Sequence, residues 1–258
     1  MADQLIQVDH DFWNIRGSFR IGGVVDIGTQ ASLIRLQSGR FILLDSYGLK
    51  GKVRDAVMAL TDQGRAVEAI LNLHPFHTVH CEQMHRDFPG AALYGSDRHV
   101  KLFPNLPWRD LRVDDPELHA QFEGELEFSI PRGVDFISDN DAIHFSSVMA
   151  YHVPSLALHV DDTLMVMNMP APLKLVGIPY RLSFHPTLAQ ALEKRAGATE
   201  DFDVWATDIA TRWGSAAHIC AAHTGAKLNL SEGEAGEAIR YALKRTRPTR
   251  AKHKRKYG

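Results

Sequence analysis

The sequence predicts an α+β protein: two sheets with helices outside them, in one domain. Strand-length apolar runs and amphipathic helix-length stretches alternate through 258 residues, enough for one large domain or two small ones. The composition is 45% hydrophobic and 23% charged, that of an ordinary globular chain able to bury a core without staples. Two cysteines exclude a disulfide framework and a zinc site built mainly of thiolates. No apolar run reaches the roughly 18 residues of a membrane span. The first residues, MADQLIQVDHDFW, lack the apolar centre of a signal peptide, so the expected compartment is the cytoplasm.

The elements follow in order. Residues 21–27 read as a strand, with Gly22, Gly23 and Gly28 marking bulges. Residues 31–36 and 40–45 flank Gln37-Ser38-Gly39 and form a hairpin. Val53, Val57 and Leu60 recur at helical spacing, and Gly64 stops that helix. Residues 67–73 (VEAILNL) are a buried strand, 78–87 a helix halted by Pro89-Gly90, and 91–94 a short strand. Residues 101–117 read as a long loop in which Trp108 is a candidate wall of a substrate pocket. Strand character returns over 125–130 and 142–153. Residues 156–160 and 163–167 read as a hairpin turning at Asp161-Asp162. Helices are expected over 187–195 and 201–213, and a strand over 218–222. A last helix runs from Ser231, with Glu234 at the capping-box position, to about Lys244. His10-Asp11-Phe12-Trp13 reads as a packed N-terminal arm.

Charge separates the chain into two parts. Residues 244–258 hold eight Lys/Arg and no Asp or Glu, leaving 21 basic and 31 acidic residues in the body. Composition alone makes 245–258 a disordered, solvated tail, with a nucleic-acid or membrane-surface contact as the alternative.

The most informative segment is Asn72-Leu73-His74-Pro75-Phe76-His77-Thr78-Val79-His80. With 14 histidines in the chain, three at every third residue are expected only about 0.04 times. Pro75 biases His74 away from the helical region and suits a first helical position. His77 and His80 are then expected one turn apart near a helix start, where neutral imidazoles can share zinc or a similar cation. Exposed loop histidines bonded to backbone are the plainer reading. Cys81 reads as a small buried helix residue, with a thiolate as the alternative because a helix start lowers a thiol's pKa.

From about residue 21 to 244 the chain resembles the metallo-β-lactamase superfamily. Leu43-Leu44-Asp45-Ser46-Tyr47-Gly48 is similar to that family's first motif, and the histidine cluster stands where its H-x-H-x-D-H motif falls. Tyr151-His152-Val153-Pro154-Ser155, the strand ending at Asn168, and Cys220-Ala221-Ala222-His223-Thr224-Gly225 follow like its later motifs. Val79 replaces the aspartate of the second motif, Pro154-Ser155 the Gly-His step of the third, and Asn168 the bridging aspartate of the fourth. The resemblance implies a single-domain, four-layer αββα sandwich over 1–244. It also implies one cation, zinc or else manganese or iron, on His77, His80 and His223, completed by His152 or His74. Asp45 would support these ligands from behind. The missing carboxylates argue against two metals. The implied activity is hydrolysis of an ester, thioester or related bond in a small-molecule substrate. A non-catalytic binding protein that has lost its metal and a nucleic-acid-associated protein using the basic tail are the alternatives.

Overall fold

The computed structural model describes residues 3–21, 25–169, 180–223 and 225–258. The bulges expected at Gly22 and Gly23 lie outside the described residues. The chain divides into two compact units, Met1–Glu127 with His152–Ser155, and Phe128–Tyr151 with Leu156–Gly258.

The first unit opens with β1 (Gln4–Asp9) and β2 (Phe12–Gly17), which pair as an antiparallel hairpin where an arm was expected. Arg35 donates to the Asp11 carboxylate at its turn, 2.6 Å away. A short ribbon of β3 (Arg20–Ile21) and β4 (Val25–Asp26) precedes the expected hairpin, β5 (Thr29–Arg35) and β6 (Phe41–Leu44). Parallel strands β7 (Val67–Leu71) and β8 (Ala92–Tyr94) complete a six-stranded sheet, ordered β1-β2-β5-β6-β7-β8. The parallel crossovers carry α1 (Gly51–Leu60) and α2 (Cys81–Asp87). Val53 and Val57 of α1, Met84 of α2 and Phe88 share one core cluster with Ile15, Leu33, Leu43, Ile70 and Leu93 of the sheet. Burying a side chain of this size contributes about 1.5–3 kcal/mol, which fixes the helices on that face. The following loop holds two short helices, α3 (Asp97–Leu102) and α4 (Pro116–Ala120).

The second sheet has five strands. These are β9 (Leu126–Ser129), β10 (Met149–His152), β11 (Ala157–Val160), and, later, β14 (His218–Ala221) and β15 (Ala226–Lys227), ordered β15-β14-β11-β10-β9. The hairpin expected at Asp161-Asp162 does not form. Both edges of β11 are taken by β10 and β14, so β12 (Leu164–Asn168) pairs instead with β13 (Tyr180–Phe184). The helices of the second unit are α5 (Leu188–Ala191), α6 (Ala198–Arg212), α7 (Glu234–Arg245) and α8 (Arg247–Tyr257). Phe202 and Trp205 of α6 meet Phe184 at ring separations of 5.1 and 6.2 Å, and Phe145 joins them at 6.5 Å or less. The Glu234 carboxylate accepts the Ser231 N–H at 3.0 Å, but α7 begins at Glu234 itself with Gly233 as its cap, so the capping box expected from Ser231 does not form. A Cβ on Gly236 would stand 2.5 Å from the Ala210 carbonyl oxygen, so glycine permits this close approach of α7 to α6.

The basic end of the chain, expected to be disordered, is helix α8. Pro248 sits in its first turn, where a missing N–H costs nothing, so it starts this helix rather than ending one. Arg250 pairs with Asp203 of α6 and donates to Thr246 Oγ1 at 2.9 Å and the Leu243 carbonyl at 3.2 Å. Lys254 pairs with Glu200, and His253 is buried. Among the described residues no helix is long and apolar enough to cross a membrane.

Candidate metal centre

Asp45 follows β6 and is buried, with φ at 61°, in the left-handed region that Asp tolerates better than most side chains. Its N–H donates to the Leu71 carbonyl at 2.8 Å. Its Oδ1 accepts the backbone N–H groups of Leu73 and His74 at 2.8 and 3.3 Å. The carboxylate therefore clamps the end of β7 and orients the histidine segment, as a supporting group behind ligands does. Beside it, Ser46 donates to Asn72 Oδ1 at 2.6 Å, and Asn72 donates to the Tyr94 carbonyl at 3.0 Å, tying three strand ends together.

His74 is fully buried, and its Nδ1 accepts the Phe76 N–H at 3.0 Å, which assigns its proton to Nε2. The His77 N–H closes a turn on the His74 carbonyl at 3.0 Å, and the two imidazoles stack with centroids 4.1 Å apart and planes 15° apart. One ring nitrogen of each lies within 4.8 Å of the other's. Helix α2 starts at Cys81, not at residue 78, so His77 and His80 do not sit on successive turns. His80 is the residue before the helix, edge-on to Tyr47 at 5.2 Å and close to Gly48. Burial, then Lys50, hold its imidazole below the ordinary value.

The other candidates have other neighbours. His152 is buried with its ring 6.0 Å from Phe12, and burial pushes its imidazole down to about 4 against the pull of Asp11 and Asp9. Phe12 pairs with Ile34 and Ile34 with Ile42, three residues before Asp45. At about 3.3 Å per residue, Phe12 therefore lies about 10 Å along the sheet from Asp45. Trp108 forms a bridge to Leu93 and donates to the Phe103 carbonyl at 2.9 Å, with its ring 5.7 Å from His99. It anchors the long loop on the first unit's core. Cys81 is fully buried, and burial pushes its thiol up to about 12, overriding any lowering by the helix start. It donates to Asn72 Oδ1 at 3.4 Å, which favours the protonated thiol over a thiolate.

The second unit places His223 just past β14, with Nε2 3.0 Å from Asp162 Oδ1. Asp162 is buried in the segment after β11, where sequence reasoning saw only a turn. In the same segment His159 and Asp161, both buried, bring one ligand atom each within 4.8 Å of the other. His185 lies in the electrostatic field of Asp162 and His223, held below its ordinary value by burial, and bonds Thr187 Oγ1 at 2.7 Å. The signal for Asp162 in the sequence was the strand end that precedes it, as for Asp45. Asn168 closes β12, paired with Tyr180. Each unit thus carries His and Asp side chains at strand ends, the donor types that zinc, manganese or iron take.

The chain has the metallo-β-lactamase fold. It is similar to a metallo-β-lactamase from Erythrobacter litoralis with β-mercaptoethanol in the active site, at 12% identity and a TM-score of 0.61, covering 94% of this chain and 96% of that one. A metallo-β-lactamase from Hirschia baltica matches at 12% identity and 0.59, covering 94% and 98%. One from Pseudomonas aeruginosa in its mono-zinc form matches at 10% identity and 0.61, covering 95% and 96%. No protein-family model and no curated protein sequence matches the chain.

Proposed function

We propose that the protein is a hydrolase that works with one divalent cation, held in the second unit by His223 and Asp162. The observation that carries this reading is the His223–Asp162 pair, a nitrogen and a carboxylate oxygen 3.0 Å apart on side chains that are 13% and 3% exposed. An imidazole and a carboxylate, with positions left for water, are donors that zinc and ferrous iron accept. Val79, at the place of the family's aspartate, is 71% exposed and offers no ligand atom, which favours one cation over two.

A bound cation would supply Lewis acidity toward a carbonyl and lower the pKa of water toward about 7. The chain's own groups do the rest. Asp45 fixes the loop through two N–H groups. Asp162 offsets the cation's charge, and burial keeps its carboxylate from bulk water. The substrate class is a small ester, thioester or related acyl compound. The test is hydrolysis of a panel of aryl esters and acyl thioesters by chelator-stripped and metal-reloaded protein. Turnover should appear with zinc, manganese or ferrous iron and vanish in His223→Ala; turnover unchanged by stripping would reject the reading.

The non-catalytic alternative is favoured by one observation: Nδ1 of His74 is occupied by the Phe76 N–H, while His80 and His152 pack against Tyr47 and Phe12. Stripped protein that binds none of these cations would establish it.

A further inference from the structure

We propose that the α7–α8 corner binds single-stranded nucleic acid, a role separate from the metal centre. Residues 240–256 carry nine Lys/Arg and no Asp or Glu. Arg250 and Lys254 pair with Asp203 and Glu200 of α6. Those two contacts hold α8 in place, and they leave most of the remaining charge facing solvent. Arg240, Lys244 and Arg247 follow one another at helical spacings of four and three residues, all exposed, and line a groove of about 430 Å³ with Asp203, Leu243 and Arg250. Its single carboxylate is already matched by Arg250, so the groove presents three further cations. Such a groove favours a polyanion through counterion release.

The aromatic side chains decide which polyanion. Tyr241 is 54% exposed beside this row, and the Arg245 guanidinium lies 6.0 Å from its ring centroid. An exposed ring flanked by cations is a stacking platform for a base, which an acidic protein has no use for. A lipid surface fits poorly. The exposed positions of α8 are Arg247, Pro248, Ala251, Lys252, Lys254, Arg255 and Lys256, with no large apolar side chain to enter a bilayer. Extruded single strands also offer the unpaired bases that a duplex hides.

The test is fluorescence anisotropy of the full chain with labelled 20-nucleotide oligothymidylate and oligouridylate, across about 50–300 mM salt. Binding should weaken with salt, with log K falling by about 2 per decade for three phosphates at about 0.7 each. Lys244→Ala with Arg247→Ala should weaken binding at least tenfold at about 50 mM and reduce that slope by about 1.4. Tyr241→Ala should weaken binding about fivefold or more and leave the slope unchanged. Lys101→Ala, an exposed cation on α3, should change nothing. All these side chains are exposed, so the variants should keep the wild-type circular dichroism. Absence of binding at about 50 mM salt, or equal weakening by Lys101→Ala, overturns the proposal. Polyglutamate or phosphatidylserine vesicles bound as tightly as the oligonucleotides, with Tyr241→Ala without effect, overturns it in favour of an acidic protein or a membrane.

Discussion

Asp45 pins the histidine segment, because one carboxylate oxygen satisfies two buried backbone donors. Asp45→Ala leaves both N–H groups buried and unpaired, which should cost about 1–3 kcal/mol in urea unfolding. Cys81 makes the opposite kind of claim. With its thiol buried and pushed up to about 12, iodoacetamide at pH 8 should label it only after denaturant is added. His152 titrates from an ordinary value of 6.5 to about 4 because burial disfavours its charged form. The unfolded chain therefore binds the extra proton between these values, so this stability is complete above pH 6.5 and lost as pH falls toward 4. The unfolding free energy from urea titrations should drop over that window by at most about 1.4 kcal/mol per pH unit from this group, and His152→Phe should flatten the slope. At this scale the sequence singled out individual residues but not where they face. Asp45 and the histidine triple were legible from a strand end and a spacing. The roles of His80 and His152 were not, because Tyr47 and Phe12, the rings they meet, are far away in sequence.

Helix α8 shows how composition misleads at the scale of an element. Eight cations without a local acid read as a solvated tail, yet the acids that pair with Arg250 and Lys254 lie 47 and 54 residues earlier. No window of local sequence contains both partners. Arg250 contributes most, with a side chain only 13% exposed and three hydrogen-bonded neighbours. Arg250→Ala should cost about 1–3 kcal/mol, in the range of hydrogen bonds to charged groups. Deleting residues 247–258 should lower the melting temperature by about 4 °C or more, at about 2–4 °C per kcal/mol for a chain near this size. An unchanged melting temperature would mean that α8 is not docked on α6. The hairpin expected at Asp161-Asp162 failed for a related reason. Two apolar runs around a turn predict pairing only while an edge is free, and β11 has β10 and β14 on its two edges. The strands and helices themselves were legible, because apolar periodicity reports burial whatever the partner.

For the whole molecule, the fold persists at 10–12% identity to solved metallo-β-lactamases. A pattern of buried strands and amphipathic helices tolerates that divergence, whereas a metal centre depends on a few named side chains. Fold alone therefore does not establish the reaction, and the account rests on its one-cation claim. The most direct measurement is metal content by mass spectrometry of protein stripped, reloaded with zinc, manganese or ferrous iron, and desalted, for the wild type, Asp162→Ala and His223→Ala. The account predicts about one cation per chain in the wild type and almost none in either variant. Two cations per chain, none in the wild type, or one that survives both substitutions would contradict it.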